Sequence, residues 1–240
     1  MTDMEIAVRD LVVANRILAN ENVTDGYGHI SVRHPHDRNR YLLSCSRSPE
    51  FVDKADIMEH EVDGTVVDAR GREPYIERFI HGAIYEARPE IQAVVHSHAS
   101  EVLPFSVTAT PLRPVIITAS MMGAHVPVWD SRDEFSGSNM LVSHMAMGRS
   151  LAARLGSSRV ILMRGHGFAA TGRTLKELVK LSVYIPQNAK VLEKALRWGE
   201  VKGLSDREIE IRITTKDTPD LRRVWEYWAR RAGCGDLLGT

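Results

Sequence analysis

Two histidines one residue apart are the first feature of this sequence that could do chemistry. An apolar run at residues 91–95 leads directly into His96, Ser97 and His98. If the run is a strand that continues to residue 98, His96 and His98 lie on the same face, because positions i and i+2 of a strand project together. Two imidazoles in this arrangement can share one metal ion. The alternative is a pair of surface histidines at a strand end.

A third histidine follows a second apolar run, at residues 160–163. It lies between Gly165 and Gly167, and glycines allow the backbone to turn sharply and approach a ligand closely. Three imidazoles leave one coordination position open for water or substrate, as catalytic metal sites require. Imidazole ligands suit Zn, Mn, Fe or Co, and ligand type does not select among them. The pattern predicts one divalent ion with the ligand set His96, His98 and His166.

The other histidines give weaker signals. His34 and His36 also have i, i+2 spacing, but their polar, turn-like setting predicts a solvated loop. Three more have no histidine partner nearby and are interpreted as structural or surface residues: His60, His125 and His144.

One carboxylate lies at the edge of an apolar helical stripe. Glu77 directly follows Ile76 and precedes Ile80 by three residues. A poorly solvated carboxylate can have a raised pKa, which would suit general acid or base catalysis near neutral pH. The alternative is an ordinary acidic residue in the first turn of a helix, where the helix dipole favours negative charge. Position alone favours this second interpretation.

Composition bounds the class of protein. The chain has 240 residues, with 31 acidic and 31 basic side chains. This length suits one sizeable core, and the balanced charge argues against a nucleic-acid partner or a polybasic membrane surface. The N-terminal segment has the pattern of an amphipathic helix and not of a signal peptide. With Cys45 and Cys234 as its two cysteines, the chain is predicted to be a soluble cytoplasmic enzyme or small-molecule binder.

Helical and strand patterns alternate along the chain. Helices are predicted over residues 4–20, 74–88 and 138–155, after a capping box at 174–177, and within the tail from 205 to 240. Pro186 should kink or split the helix that follows the capping box. Strands are predicted near residues 28–33, 40–44, 57–62, 65–68, 91–96, 113–118, 126–129 and 159–163, with a hairpin turn at 63–64 and a short helix after 96. The mixture predicts an α/β sandwich whose sheet is not purely parallel.

The sequence contains the motifs AVVHSH and RGHG, Glu77 about twenty residues before AVVHSH, and the motif H-x-x-I-Y-x-A-R-P that follows Glu77. On these motifs, the sequence resembles the class II aldolase/adducin family over residues 5–200. The resemblance implies a three-layer α/β/α sandwich with a mixed, largely antiparallel sheet, forming a single catalytic domain over residues 1–240 with a helical extension over 205–240. It also implies a divalent metal on the three histidines, Glu77 as catalytic acid or base, and a homotetramer with sites near subunit interfaces.

The sequence departs from the sugar-phosphate aldolases of this family where those enzymes hold phosphate. Small hydroxyl and amide donors are largely replaced by His29, Arg47 and Tyr75. These residues could bind a carboxylate, Arg47 through a bidentate fork and His29 through a charge-assisted bond. Ser31, in the same stretch as His29, is a further substrate-binding candidate. For Arg47 and Tyr75, surface charge and packing remain the alternative.

Four segments, GHISVR, LRPV, LMRGHG and WEYWARRAG, resemble the branch of the family that decarboxylates hydroxylated aromatic dicarboxylates. The sequence therefore predicts a metal-dependent lyase that decarboxylates a small ortho-hydroxy aromatic acid, with Glu77 or alternatively His29 as proton carrier. The alternatives are an aldolase acting on a hydroxy-aldehyde or ketose, and a non-catalytic interaction module of the adducin kind. The last helix, with the aromatic residues Trp225, Tyr227 and Trp228, is predicted to pack on a neighbouring subunit.

Overall fold

A seven-stranded sheet forms the centre of the computed structural model, which describes residues 1–214 and 218–238. Its strands are β1 (His29–Arg33), β2 (Arg40–Ser44), β3 (Ile57–Glu61), β4 (Ala93–Ser97), β5 (Val128–Trp129), β6 (Val160–Met163) and β7 (Gly167–Gly172). They lie in the order β3-β2-β1-β4-β7-β6-β5. Neighbouring strands are antiparallel except for the parallel pair β5 and β6. The predicted mixed, largely antiparallel sheet is confirmed.

Helices cover both faces of this sheet. They are α1 (Asp3–Asn20), α2 (Arg78–Ala87), α3 (Leu103–Val107), α4 (Met145–Leu155), α5 (Leu175–Trp198), α6 (Asp206–Thr214) and α7 (Thr218–Arg231). On β4, Ala93 and Val95 belong to the core cluster shared with α1, α5 and α7, whereas Val94 belongs to the cluster shared with α2 and α4. This alternation is the period of a strand buried on both sides. The three-layer α/β/α architecture is therefore confirmed.

The long helix α5 forms as its capping box predicts, since the Thr174 hydroxyl accepts a hydrogen bond from the Glu177 N–H. Pro186 does not split it, and the helix runs for 24 residues. Pro186 is buried together with Ile185 and Ala189. Burial of this helix face compensates for the backbone hydrogen bond that proline cannot make.

Two predicted strands are wrong. The turn at residues 63–64 forms, with Gly64 at φ 86°, but the segment after it makes a single bridge, between Val66 and His60. Residues 113–118 do not join the sheet, because the N–H groups of Val115 and Ile116 donate instead to the side-chain oxygen of Asn188 on α5, at 2.8 and 3.3 Å. The apolar character of this segment reflects packing against α5.

Two helices begin later than their apolar pattern predicts, and one strand has no counterpart in the prediction. Helix α2 begins at Arg78 and α4 at Met145. Strand β7 is buried along its whole length, and its sequence GFAATG does not alternate between apolar and polar residues. Periodicity therefore carries no strand signal for β7.

The C-terminal helix packs on its own chain. Trp225 and Trp228 are 5% and 4% exposed and belong to the cluster that contains residues of α1 and α5. The Lys176 ammonium lies 5.3 Å from the centre of the Trp225 ring. The two tryptophans therefore give no support to the prediction that this helix packs on a neighbouring subunit, whereas Tyr227 is exposed. Part of the predicted extension, residues 215–217 and 239–240, lies outside the described residues.

Neither Cys45 nor Cys234 forms a disulfide. Within residues 1–214 and 218–238, every helix is too short or too polar to cross a lipid bilayer.

Candidate metal centre

Four side chains from three separate segments converge at one edge of the sheet. His96 is in β4 and His98 directly follows it, His166 lies in the turn between β6 and β7, and Glu77 directly precedes α2. The Nε2 atom of His98 lies 2.8 Å from that of His96 and 3.0 Å from that of His166. The Oε2 atom of Glu77 lies 3.4 Å from His96 Nε2 and 3.5 Å from His166 Nε2. The structure thus brings together the three predicted metal ligands and the predicted acid–base residue.

Glycines on either side of His166 make this convergence possible. Gly165 has φ 62°, a conformation that other residues adopt at a cost. A Cβ atom at Gly167 would lie 2.0 Å from the carbonyl oxygen of Ser97. The backbones of β4 and β7 therefore approach one another where their histidines leave the sheet, and only glycine fits at position 167.

The donor atoms fit a divalent metal. His96 Nδ1 lies 3.1 Å from the carbonyl oxygen of Phe168 and donates to it, so Nε2 presents a lone pair to the cluster. Burial, followed by the charges of His96 and His166, lowers the pKa of His98 to about 4, which keeps its ring neutral at pH 7. Ring nitrogens 3 Å apart beside a carboxylate repel one another through their lone pairs unless a proton or a metal cation lies between them. Three imidazole nitrogens and one carboxylate oxygen could hold such an ion.

Glu77 is held as a carboxylate. Its Oε1 atom accepts a hydrogen bond of 2.9 Å from the Val142 N–H. Burial alone would raise the pKa of Glu77, but His96 and His166 in their protonated forms outweigh it through charge and hydrogen bonds and place the pKa well below its usual value. A cation bound to the neutral histidines would act in the same direction. The expectation of a raised pKa is therefore wrong. An ionised Glu77 can bind a metal or accept a proton.

A cavity of about 380 Å³ opens directly onto this cluster. Glu77 and His98 form part of its wall, and so do the three residues predicted to replace a phosphate site, His29, Arg47 and Tyr75. A larger groove of about 860 Å³ runs beside the start of β6 and contains none of these five residues. The smaller cavity is therefore the candidate substrate site, because it contains Glu77 and His98 of the cluster, although the groove is larger.

Arg47 and Tyr75 form adjoining parts of the cavity wall. The Arg47 side chain is 48% exposed, and its Nη1 atom lies 3.4 Å from Asp56 Oδ1. The Tyr75 hydroxyl donates a short hydrogen bond to the Arg47 carbonyl oxygen, and its ring centre lies 4.5 Å from that of His29. Because the hydroxyl is engaged by the backbone, Tyr75 offers the cavity its ring. Tyr27, an exposed wall residue, was not predicted from the sequence.

His29 and Ser31 have different positions although they are two residues apart on β1. His29 is paired with His96 in the sheet register and lines the cavity. Ser31 is fully buried and does not reach the cavity, since its hydroxyl bonds to His81 and Tyr85. The prediction that Ser31 binds substrate is not supported by this position.

His81 lies buried behind His29 and was not among the predicted site residues. It lies one helical turn before Tyr85 on α2, and the H-x-x-I-Y spacing places both on one helix face. Its Nε2 atom lies 2.6 Å from His29 Nδ1. Burial lowers the pKa of His29 and lowers that of His81 to about 3. Both rings are therefore neutral at pH 7.

The weaker histidine candidates lie away from the cluster. His34 Nδ1 accepts from two backbone N–H groups of its own loop, and His144 caps α4. His60 is fully buried and stacked on Tyr41, with ring centres 5.1 Å apart. Among the described residues, neither ring nitrogen of His60 has a hydrogen-bond partner.

Residues 9–192 match the class II aldolase and adducin N-terminal domain, and the chain belongs to this family. It is 34% identical over 255 residues to decarboxylase tropJ of Talaromyces stipitatus, covering 97% of this chain and 96% of that protein. It is 28% identical over 202 residues to 3,4-dihydroxyphthalate decarboxylase of a Terrabacter species, covering 77% and 80%. The predicted family and its decarboxylase branch are confirmed.

The fold also matches the solved L-fuculose 1-phosphate aldolase of Glaciozyma antarctica, with a TM-score of 0.74, 22% identity, and coverage of 94% of this chain and 90% of that one. At this level of identity, the likeness establishes the fold. Sequence relatives carry the names of both decarboxylases and sugar-phosphate aldolases. Both groups are lyases, which supports an enzymatic role for this chain.

Proposed function

We propose that this protein is a divalent-metal-dependent carboxy-lyase that releases carbon dioxide from a small ortho-hydroxy aromatic acid. The observation that carries the proposal is the cluster of Glu77 and three histidines opening onto a cavity with an aromatic wall and a guanidinium. The similarity to tropJ and to 3,4-dihydroxyphthalate decarboxylase supports the choice of reaction.

The three histidines would hold the metal, with Glu77 beside them. When bound, a divalent ion stabilises negative charge that develops on a substrate oxygen as a carbon–carbon bond breaks. The neutral state of His98 at pH 7 and the fixed lone pair of His96 suit them for this ligand role.

The cavity suits a small planar acid. Its volume of about 380 Å³ lies near the lower end of ordinary small-molecule sites. The ring of Tyr75 offers an apolar wall, and Arg47 offers a planar fork for a carboxylate. At 3.4 Å, the contact between Arg47 and Asp56 is long for a charged hydrogen bond. A substrate carboxylate could therefore compete with Asp56 for this guanidinium.

Glu77 would move the proton. As an ionised carboxylate, it accepts the proton of the substrate hydroxyl at Oε2 and then gives it to the ring carbon that bears the carboxylate. The bond from that carbon to the carboxylate breaks, its electron pair returns to the ring, and carbon dioxide leaves. A proton from solvent restores the hydroxyl, so the reaction consumes one proton overall. The lowered pKa of Glu77 keeps the carboxylate ionised at neutral pH, so its oxygens are free of protons before the reaction.

An aldolase is the second candidate, because Ser46 and Ser48 also line the cavity and small hydroxyl donors suit a phosphate. The deciding experiment supplies metal-reconstituted protein with hydroxyphthalates, hydroxypyridine dicarboxylates and ketose phosphates. Carbon dioxide release from an aromatic acid is expected. Cleavage of a ketose phosphate, with no carbon dioxide from any aromatic acid, would reject the decarboxylase in favour of the aldolase.

The proposal extends to a homo-oligomer in the cytoplasm. Tyr27 and Ile76 line the cavity and are 70% and 58% exposed, and large apolar side chains of this kind are commonly covered by a partner. A second subunit over this rim would exclude water from the site. Light scattering of the metal-loaded protein tests the assembly, and a monomer at micromolar concentration would contradict it.

A further inference from the structure

Four buried side chains behind the cavity form a continuous row of hydrogen bonds. His29 Nδ1 lies 2.6 Å from His81 Nε2, His81 Nδ1 lies 2.7 Å from Ser31 Oγ, and Ser31 Oγ lies 2.8 Å from Tyr85 Oη. Because Nδ1 of His29 is used in this row, Nε2 is the ring nitrogen available to the cavity. Whether Nε2 carries a proton decides whether His29 donates to a ligand or accepts from it.

The direction of the row follows from its buried end. A neutral imidazole has one N–H, so each histidine donates through one nitrogen and accepts through the other. Tyr85 is 1% exposed, so its hydroxyl proton needs an acceptor within the protein, and Ser31 Oγ lies at 2.8 Å. We therefore assign Tyr85 as the donor in this pair. Ser31 then accepts from Tyr85 and gives its own proton to His81 Nδ1. His81 in turn must carry its proton on Nε2 and donate to His29 Nδ1.

The opposite direction is geometrically weaker. If His81 donated to Ser31, the serine hydroxyl would need another acceptor. Tyr85 cannot be that acceptor, because its own proton already goes to Ser31 Oγ. The other acceptor that the described residues offer is the Val94 carbonyl oxygen at 3.5 Å. That distance exceeds the roughly 2.5–3.0 Å of an O–H···O bond, whereas the 2.7 Å contact with His81 is ordinary. The geometry therefore favours donation from serine to histidine.

We infer that the row runs from Tyr85 through Ser31 and His81 to His29, and that it fixes the proton of His29 on Nε2, facing the cavity. His81 is a positioning residue that acts through His29. His29 is then a neutral donor to an anionic oxygen of the ligand, which leaves proton transfer to Glu77. The ligand class, a hydroxylated aromatic carboxylate, rests on the proposed function, whereas the direction of the row does not.

Nitrogen NMR of the zinc-loaded protein with ¹⁵N-labelled histidine tests this direction. Both His29 and His81 should have a protonated Nε2 and a bare Nδ1. In Ser31→Ala, the hydroxyl that donates to His81 Nδ1 is lost, and both rings should become mixtures of tautomers. Adding a dihydroxyphthalate to the wild type should move the His29 Nε2–H proton resonance downfield. In Ser31→Ala, KM should rise about tenfold with a smaller change in kcat, because the hydrogen bond from His29 Nε2 to the bound anion is weakened.

Tyr41→Phe is the matched control. The Tyr41 ring centre lies 6.2 Å from that of His81, but its hydroxyl donates to the Arg78 carbonyl oxygen and stands outside the row. This variant removes a buried hydroxyl beside the same imidazole, and both tautomers should stay as in the wild type. A tautomer change equal to that of Ser31→Ala would show that general loosening, and not the row, sets the tautomer.

The inference and the proposed function fail in different ways. A proton on Nδ1 of His29 in the wild type would overturn the inference, whatever the reaction. Carbon dioxide release without any response of the Nε2–H resonance to the substrate would also overturn it and leave the proposed function intact. The stated tautomers, without carbon dioxide release from any aromatic acid, would support the direction of the row and reject the proposed function.

Discussion

Replacing His60 with phenylalanine should make the protein markedly less sensitive to acid. His60 is fully buried, and burial, followed by the charge of Arg78, lowers its pKa from 6.5 to about 4. In the unfolded chain the ring takes up a proton as the pH falls through 6.5, while in the folded protein it stays neutral until about pH 4. Between these values the unfolded state binds more protons, so the free energy of unfolding falls as the pH falls.

The size of this effect follows from the two pKa values. One pKa unit corresponds to about 1.4 kcal/mol, so the whole difference is about 3 kcal/mol, of which about 2 kcal/mol is lost between pH 7 and pH 5. Phenylalanine keeps the ring stacked on Tyr41 and has no group to titrate. The change in unfolding free energy between pH 7 and pH 5 should therefore be about 2 kcal/mol smaller in His60→Phe than in the wild type.

Urea denaturation of metal-free protein at the two pH values measures this difference. Comparing each protein with itself removes any constant effect of the substitution, and the other histidines contribute equally to both proteins. Tyr41→Phe, which keeps the stacked ring pair, should retain the wild-type pH dependence. The same loss of stability in His60→Phe as in the wild type would refute the assignment of acid sensitivity to His60.

Three further predictions concern the candidate site. His98→Ala should remove most of the bound metal, because its Nε2 atom lies 3.0 Å or less from both other ligand nitrogens; full occupancy by elemental analysis would reject the ligand set. Glu77→Gln should keep the metal but slow turnover about 10² to 10⁴-fold, as loss of a positioned proton carrier does, and near-normal turnover would return Glu77 to a role at the helix start. Arg47→Ala should raise KM about fivefold, a modest effect because the side chain is half exposed, with metal content unchanged; an unaltered KM for a dicarboxylate would exclude Arg47 from substrate binding.

The metal cluster could be predicted from the sequence because its signals are local. The i, i+2 spacing of His96 and His98 follows from the repeat of a strand, and the glycines around His166 indicate a close backbone approach that the structure contains. The charge state of Glu77 could not be predicted in this way. Its pKa depends on imidazoles 19 and 89 residues further along the chain, and only the fold places them within 3.5 Å of its oxygen.

The errors have a common physical cause. Ser31 and His29 look equivalent in sequence, because alternate residues of β1 share a face. They differ in depth, since His29 lines the cavity and Ser31 is buried below it. Residues 113–118 are as apolar as a strand, but the side chain of Asn188 takes their N–H groups. Trp225 and Trp228 look like interface residues until α1 and α5 are seen to cover them. In each case a tertiary partner, and not local pattern, decides the outcome.

The pairing of His29 with His96 across β1 and β4 has a consequence for the order of events during folding. These strands are 67 residues apart in sequence, and pairing at such separation is slow compared with helix formation. A slip of one residue would turn every side chain of β1 to the opposite face, so correct register and the assembly of the cavity are the same event. The metal ligands lie at the end of β4, in the turn before β7 and before α2, so a complete metal site would instead report that β4 and β7 had paired.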